Sequence, residues 1–339
     1  MTPTSNDTHA TEIADDDWNE LATSTAIEPI EALVPLNAAG ARIDKVAAEL
    51  FGDYSRAKLQ QWIAQGRITV DGVVATAKTR LLGNERMRLA PLPAPETIAF
   101  LPEPIPLNVV HEDGACIVID KQAGLVVHPA AGNWTGTLLN GLLHRYPELA
   151  QVPRAGIVHR LDKDTTGLMV VARTIEAQTA LVRQLQARTV HREYIAMCWG
   201  RAKATTINAP IGRHPRDRLR MAVVDNGKPA ITHVEVVGEG RLAERDVTAL
   251  RCRLETGRTH QIRVHLASIG HSLVGDVLYA SRAVATANAT TFPRQALHAA
   301  RLEFMHPRTQ TPVSCVSPIH DDLRSLFALA QLPVQSLVE

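Results

Sequence analysis

Six prolines crowd the stretch from residue 91 to residue 106: Pro91, Pro93, Pro95, Pro102, Pro104 and Pro106. Each fixes its own φ and lacks an N–H, so this stretch cannot run as a helix or lie in the middle of a sheet. It favours extended polyproline backbone and a semi-rigid spacer, reaching roughly 50 Å at ~3.1 Å per residue. The chain is expected to divide here, with residues 91–106 as linker. At 339 residues it has length for two domains, and a 45% hydrophobic, 21% charged composition supplies a sizeable core.

Residues 1–39 hold eight acids and no Lys or Arg, and read as an acidic disordered tail. Without it, 36 basic side chains face 27 acidic ones, so the net charge of +1 hides a body carrying nine excess positive charges. Such a body suits a polyanionic partner. No apolar run approaches the ~20 residues of a membrane helix. The N-terminus lacks a basic-then-apolar leader pattern. A soluble, cytoplasmic monomer with no membrane partner is expected. Cys116, Cys198, Cys252 and Cys315 are widely spaced, with no CxxC pair, so neither a zinc site nor a disulfide framework is expected.

Residues 41–90 form a compact basic module. Ser55 stands at an N-cap position before Leu59, Trp62 and Ile63 at helical spacing, and Gly66 ends that helix. Two short β-prone runs then flank Asp71-Gly72, the signature of a hairpin. From Arg42 to Arg88 there are nine Lys/Arg and five Asp/Glu. Arg56 and Lys58 occupy the first helical turn, where a phosphate also meets free backbone N–H groups. Arg42-Ile43-Asp44, Tyr54-Ser55-Arg56 and Gly66 to Gly72 resemble the S4 RNA-binding domain. The resemblance implies RNA contact by Arg42, Arg56, Lys58 and Arg67.

Beyond the prolines, residues 107–330 alternate strand-like and helix-like segments, as expected of one large α+β domain. Residues 283–291, rich in Ala, Thr and Asn, read as a surface loop. The densest polar cluster lies between two apolar runs in Gly156-Ile157-Val158-His159-Arg160-Leu161-Asp162-Lys163-Asp164-Thr165-Thr166-Gly167-Leu168. Loops held by rigid strands commonly carry reactive groups, although either aspartate could equally stabilise a turn. A second cluster is His191-Arg192-Glu193-Tyr194, entering a strand after the helical pattern of residues 175–187. A third runs from Glu255 through Arg258, His260 and Arg263 to His265. His260 and His265 lack the CxxC or HExxH context of a zinc site, and no phosphate-binding glycine loop appears, so no metal is expected.

Together these clusters resemble the RluA-type pseudouridine synthases: His159-Arg160-Leu161-Asp162 with Thr165-Thr166-Gly167-Leu168, then the second and third segments. The likeness runs from about Ala41 to Ala330. It is nearest to the branch acting on 23S ribosomal RNA, through Asp53-Tyr54-Ser55-Arg56, His128 to Asn133, Pro153 to Gly156, Arg213-His214-Pro215 and Gly227 to Ala230. The fold implied is a mixed, largely antiparallel sheet preceded by the S4 domain. The activity implied is isomerisation of uridine to pseudouridine, needing no cofactor. The resemblance makes Asp162 the nucleophile, Arg263 its partner and Tyr194 the ring that stacks on the uracil. Arg160 would hold the rearranged RNA. Arg213 and Arg216, in a run with Arg218, Arg220 and Lys228, form a candidate phosphate-contact surface. The implied substrate is large-subunit precursor RNA, with several uridines of the helix 69 stem-loop as targets. A synthase for other rRNA or tRNA uridines and a non-catalytic S4-type assembly factor are the alternatives.

Overall fold

The computed structural model describes residues 28–92, 98–130 and 132–332. The described residues separate into two compact units that divide between residues 98 and 99. That boundary falls inside the proline-rich segment. Among the described residues no helix is long and apolar enough to cross a membrane.

The first unit has a four-stranded sheet built from β1 (Ile30–Leu33), β2 (Ile68–Val70), β3 (Val73–Val74) and β4 (Arg86–Leu89), in the order β1-β4-β2-β3 and antiparallel throughout. Helices α1 (Ile43–Leu50) and α2 (Arg56–Ala64) accompany it. Ser55 caps α2 by accepting the Lys58 N–H, and the Asp-Gly turn joins β2 to β3. Ile43, Leu59, Trp62, Ile68, Met87 and Leu89 form the core.

Two sequence boundaries need correction. Residues 1–27 of the acidic tail lie outside the described residues, but Ile30–Leu33 are a strand of the sheet. Glu31 sits opposite Arg88 and pairs with Arg86 at 3.4 Å and Arg88 at 3.6 Å, so this acid belongs to the basic module it seemed to precede. In the linker, residues 93–97 lie outside the described residues. Residues 99–106 are not a free spacer: Asn140 Nδ2 donates to the carbonyls of Ala99 (2.9 Å) and Leu101 (2.8 Å), and Phe100 and Ile105 pack on the second core.

The arginines assigned to RNA contact in this unit are partly committed elsewhere. Asp44 is buried and accepts from Arg42, Arg56 and Gln60 at 2.6–3.4 Å. Lys58 lies over the Trp62 ring at 5.3 Å, and Arg67 is exposed.

The second unit is built on a nine-stranded sheet. Its strands are β5 (Asn108–Glu112), β6 (Cys116–Lys121), β7 (Thr166–Ala172), β8 (His191–Trp199), β9 (Thr205–Asn208), β12 (Ile231–Leu242), β13 (Arg245–Leu254), β14 (Leu297–Met305) and β15 (Pro312–Val316). The order is β5-β6-β7-β14-β8-β13-β12-β9, with β15 also paired to β14. Strands β10 (Ile211–Arg213) and β11 (Met221–Val223) form a separate hairpin. Every pairing in the large sheet is antiparallel except β7 with β14. Gly167 permits that parallel join: its φ is +107°, and a Cβ there would lie 2.2 Å from the Ala299 carbonyl oxygen.

Alternation along the central strands sends Ile117, Ile119, Met169, Val171, Tyr194, Ala196 and Cys198 to one face. There they meet helices α3 (Leu138–Arg145) and α5 (Gln261–Ser268) through Leu138, Leu142, Ile262 and Leu266. Opposite-face residues pack with α4 (Ile175–Gln186) and α7 (Asp321–Leu329) through Leu181, Leu323 and Phe327. Residues 285–291, expected as loop, are helix α6 (Ala285–Thr291). Its Asn288 is buried, accepting from Trp199 Nε1 and the Gly275 N–H while donating to the Asp276 carbonyl. The four cysteines are buried free thiols.

Asp44 predicts how the first unit responds to acid. The Arg42 hydrogen bond, then that of Gln60, hold its carboxyl well below the ordinary value of 3.8 despite burial. A depressed folded pKa gives stability that is complete above the unfolded value and is lost as pH falls toward the folded one. Amide exchange in α1 and α2 should therefore accelerate below about pH 4, and Asp44→Asn should flatten that dependence. Equal pH dependence in both proteins would refute the assignment.

Candidate active site

The 159–165 loop enters β7 and is fixed from beneath. Lys121, fully buried at the end of β6, donates Nζ to the carbonyls of Gln122 (2.9 Å), Leu125 (3.0 Å) and Lys163 (2.8 Å). Burial pushes its pKa down to about 8, with Asp164 and then Asp162 opposing the shift. Arg294 donates to the Asp164 carbonyl and pairs through two nitrogens with Asp322, while Gln295 donates to the Thr165 hydroxyl. Thr166, the first residue of β7, bonds His298 Nδ1 at 2.9 Å. The Thr165 N–H closes the turn on the Asp162 carbonyl.

Asp162 emerges from this frame with its side chain 16% exposed. Its Oδ2 accepts from Arg263 Nη1 at 3.0 Å, across 101 residues of sequence. Arg263, on α5, turns its remaining donors to Asp276: Nε to Oδ2 at 2.7 Å and Nη2 to Oδ1 at 3.0 Å. Burial opposes the arginine's charge, but the two carboxylates outweigh it and lift the pKa above its ordinary value. The planar fork suits this double engagement, which a lysine could not reproduce.

His260 stands just before α5 in a left-handed conformation, φ 55° and ψ 24°. Its Nε2 lies 3.8 Å from Asp162 Oδ1, and its Nδ1 is 2.8 Å from the Tyr279 hydroxyl. That hydroxyl also accepts the Met221 N–H at 2.9 Å, tying β11 to the site. The guanidinium carbons of Arg263 and Arg220 lie 5.0 and 5.4 Å from the Tyr279 ring centroid. Burial and then the Asp162 charge, which opposes it, are the leading influences on His260, whose pKa is lowered.

Tyr194 is 6% exposed on the same sheet face as Leu161 and Ile262. It pairs with Ala299, which pairs with Gly167, so the ring is level with the end of the Asp162 loop. Burial raises its phenol pKa; Arg192 opposes the rise and Asp162 adds to it. Of the three residues expected at the centre, Asp162 and Arg263 are in direct contact and Tyr194 lies within electrostatic reach of Asp162.

Arg160 is exposed on the same loop. Arg213 and Arg216 are exposed on the β10–β11 hairpin, whose turn is braced by His214 Nδ1 accepting from the N–H groups of Arg216 and Asp217. His265 is structural, bonded to Thr232 Oγ1 and the Ala209 carbonyl. Lys121, His260, Asp276, Tyr279 and Arg294 were not singled out for catalytic roles from sequence. A lone lysine after a strand or an aspartate after a glycine carries no local signal of such a role.

One group away from this site, His111, Asp113 and Cys116, brings metal-ligating atoms within 4.8 Å of one another. Asp113 already engages both His111 and His306 through Oδ2, and the N–H groups of Ala115 and Cys116 through Oδ1. Burial, aided by Asp113, pushes the Cys116 thiol up to about 12, so it stays protonated at neutral pH.

Comparison with known proteins adds an independent line. A family model described as RNA pseudouridylate synthase matches residues 115–268, and one for the S4 domain matches residues 41–86. A ribosomal large subunit pseudouridine synthase D of Nitrosomonas europaea is 52% identical over 313 residues, 91% of this chain and 90% of that protein. Its namesake from Xanthomonas campestris pv. campestris is 52% identical over 307 residues, 88% and 91% of the two chains. Among solved structures, human RNA pseudouridylate synthase domain containing 1 aligns with a TM-score of 0.53 at 27% identity, over 65% of this chain and 87% of that one.

The loop's support is testable through Lys121. Replacing it by methionine strands three carbonyls, and one unsatisfied buried group costs ~1–3 kcal/mol. Lys121→Met should lower the unfolding free energy by about 3 kcal/mol in denaturant titration. An unchanged midpoint would show that the ammonium is not a strut.

Proposed function

The chain belongs to the RNA pseudouridylate synthase family, and from that premise we propose that it isomerises uridines of 23S ribosomal RNA, with Asp162 as nucleophile. The observation that carries the assignment is the Arg263–Asp162 ion pair beside Tyr194. The carboxylate is aimed through Oδ2, its Oδ1 faces His260 Nε2 at 3.8 Å, and the side chain keeps 16% exposure.

Substrate and product are isomers, so no co-substrate is consumed. The N1–C1′ bond of uridine breaks, the base turns, C5 bonds to C1′, the C5 proton leaves and N1 gains one. Asp162 is the carboxylate nucleophile for this exchange. Arg263 fixes its direction through the Nη1 hydrogen bond to Oδ2. Tyr194 stacks on the extracted uracil, an interaction worth ~1–3 kcal/mol, and its hydroxyl can assist loss of the C5 proton. The target base must leave its helical stack, at a cost of a few kcal/mol, and Arg160 holds the rearranged strand.

Phosphate contacts come from Arg213 and Arg216 on the hairpin and from Lys58 and Arg67 in the first unit. Arg42 and Arg56 contribute charge that Asp44 partly offsets. The proposed targets are several uridines of the helix 69 stem-loop, reached in large-subunit precursor RNA during ribosome biogenesis. The same reading has the enzyme acting in the cytoplasm as a monomer, with no cofactor and no membrane partner.

Asp162→Asn and Asp162→Ala proteins should fold and bind RNA yet form no pseudouridine, read by single-turnover assay and by mapping 23S RNA from cells carrying each variant. Turnover near the wild-type rate in either variant would end the nucleophile assignment. Pseudouridines missing from a different RNA in cells lacking the protein would redirect the substrate assignment.

A further inference from the structure

Three arginines of the second unit are almost fully enclosed: Arg294 at 6%, Arg263 at 7% and Arg192 at 8% exposure. Two are neutralised. Arg263 holds Asp276 and Asp162, and Arg294 holds Asp322. Arg192 differs. Among the described residues its guanidinium makes one hydrogen bond, from Nη2 to the Glu255 carbonyl at a long 3.5 Å, and its Nε is buried without a partner. Nearby carboxylates are engaged elsewhere: Glu193 with Arg251, and Glu255 with His233 and Arg188. A guanidinium cannot shed its charge in a protein, and an unpaired buried charge is strongly destabilising.

Its setting is the active site. Arg192 and Tyr194 are alternate residues of β8 and so project from one face, about 7 Å apart along the strand. The Tyr194 phenol feels Arg192 and Asp162 together. His159, also within reach of Arg192, is pushed down to about 3 by burial and then by that arginine, so it is neutral and adds no anion. Across from the guanidinium, Gly257 has no side chain; a Cβ there would lie 2.7 Å from Nη1 and displace it. The fold thus keeps a fixed cation beside the Tyr194 ring, and among the described residues no counter-charge pairs with it.

We propose that Arg192 anchors a phosphodiester subsite: a non-bridging oxygen of an RNA linkage next to the flipped uridine is its missing anion. This rests on the pseudouridine synthase reading. The planar fork matches phosphate geometry through two parallel N–H···O bonds. One nucleotide can then stack on Tyr194 while its own backbone is gripped two residues away.

The test uses the full-length protein and substrate RNAs carrying one neutral methylphosphonate at each linkage around the target in turn, read as single-turnover pseudouridine formation. Wild-type enzyme should lose roughly 10- to 100-fold at one linkage, the worth of one charge-assisted contact. Arg192→Gln should lose a similar factor on native RNA and be indifferent to methylphosphonate at that linkage, while Arg192→Lys keeps the sensitivity. Arg192→Met should raise the melting temperature of the RNA-free protein, because a lone charge is removed; a purely structural arginine would lower it. The subsite is overturned if active wild-type enzyme ignores every substitution, or if Arg192→Gln stays as sensitive as wild type. If the glutamine variant fails to fold, the wild-type scan and the lysine variant decide alone. Absence of pseudouridine with wild-type enzyme on native RNA would instead count against the parent reading.

Discussion

The candidate active centre depends on one guanidinium shared by two carboxylates. Asp276 takes two of the Arg263 donors and thereby sets the plane of the group, leaving Nη1 to aim Asp162. Taking three charges out of water is expensive, and such a triad persists only when its geometry is good and its remaining bonds are filled. Here they are filled: Asp276 Oδ1 also accepts from the N–H groups of Leu278 and Tyr279, and Asn288 pins the Asp276 carbonyl. The rigidity of Asp162 is therefore inherited from residues more than a hundred positions away.

The loop that carries Asp162 is held by donors from below. Lys121 and Arg294 bond the carbonyls of Lys163 and Asp164, the two residues that follow Asp162. A backbone turned inward in this way needs donors for its carbonyls, and buried cations provide them at full strength. The parallel contact at Gly167 completes the arrangement by seating β14 directly against the start of β7. Since β14 also pairs with β8, the loop before β7 and the ring on β8 share one strand as a common reference.

Asp162, Tyr194 and Arg263 were legible because each sits in a distinctive local motif. Their convergence was not, since it requires the strand from residue 297 to enter between strands that start at 166 and 191. No periodicity encodes that insertion. His260 was visible only as half of a possible metal pair, because a left-handed residue before a helix leaves no compositional mark. The first strand was hidden by an acid, Glu31, whose partners Arg86 and Arg88 lie over fifty residues on. Helix α6 read as loop because its Ala, Thr and Asn content is weakly helical; the burial of Asn288 supplies what propensity lacks. Arg192 was read as part of a motif, but its lack of a counter-ion among the described residues is a tertiary property that no sequence pattern displays.

The Tyr279 phenol joins two things that sequence keeps apart, the arginine hairpin and the surroundings of Asp162. Through the Met221 N–H it grips β11, through the imidazole Nδ1 it grips His260, and two guanidinium carbons lie 5.0 and 5.4 Å from its ring centroid. A hairpin fastened in this way is no loose flap. On the proposed function it would serve as a ruler whose zero mark is Asp162: an anion on Arg213 and Arg216 would be held at a set reach from the carboxylate, and position along a strand would be gauged by length without reading a base.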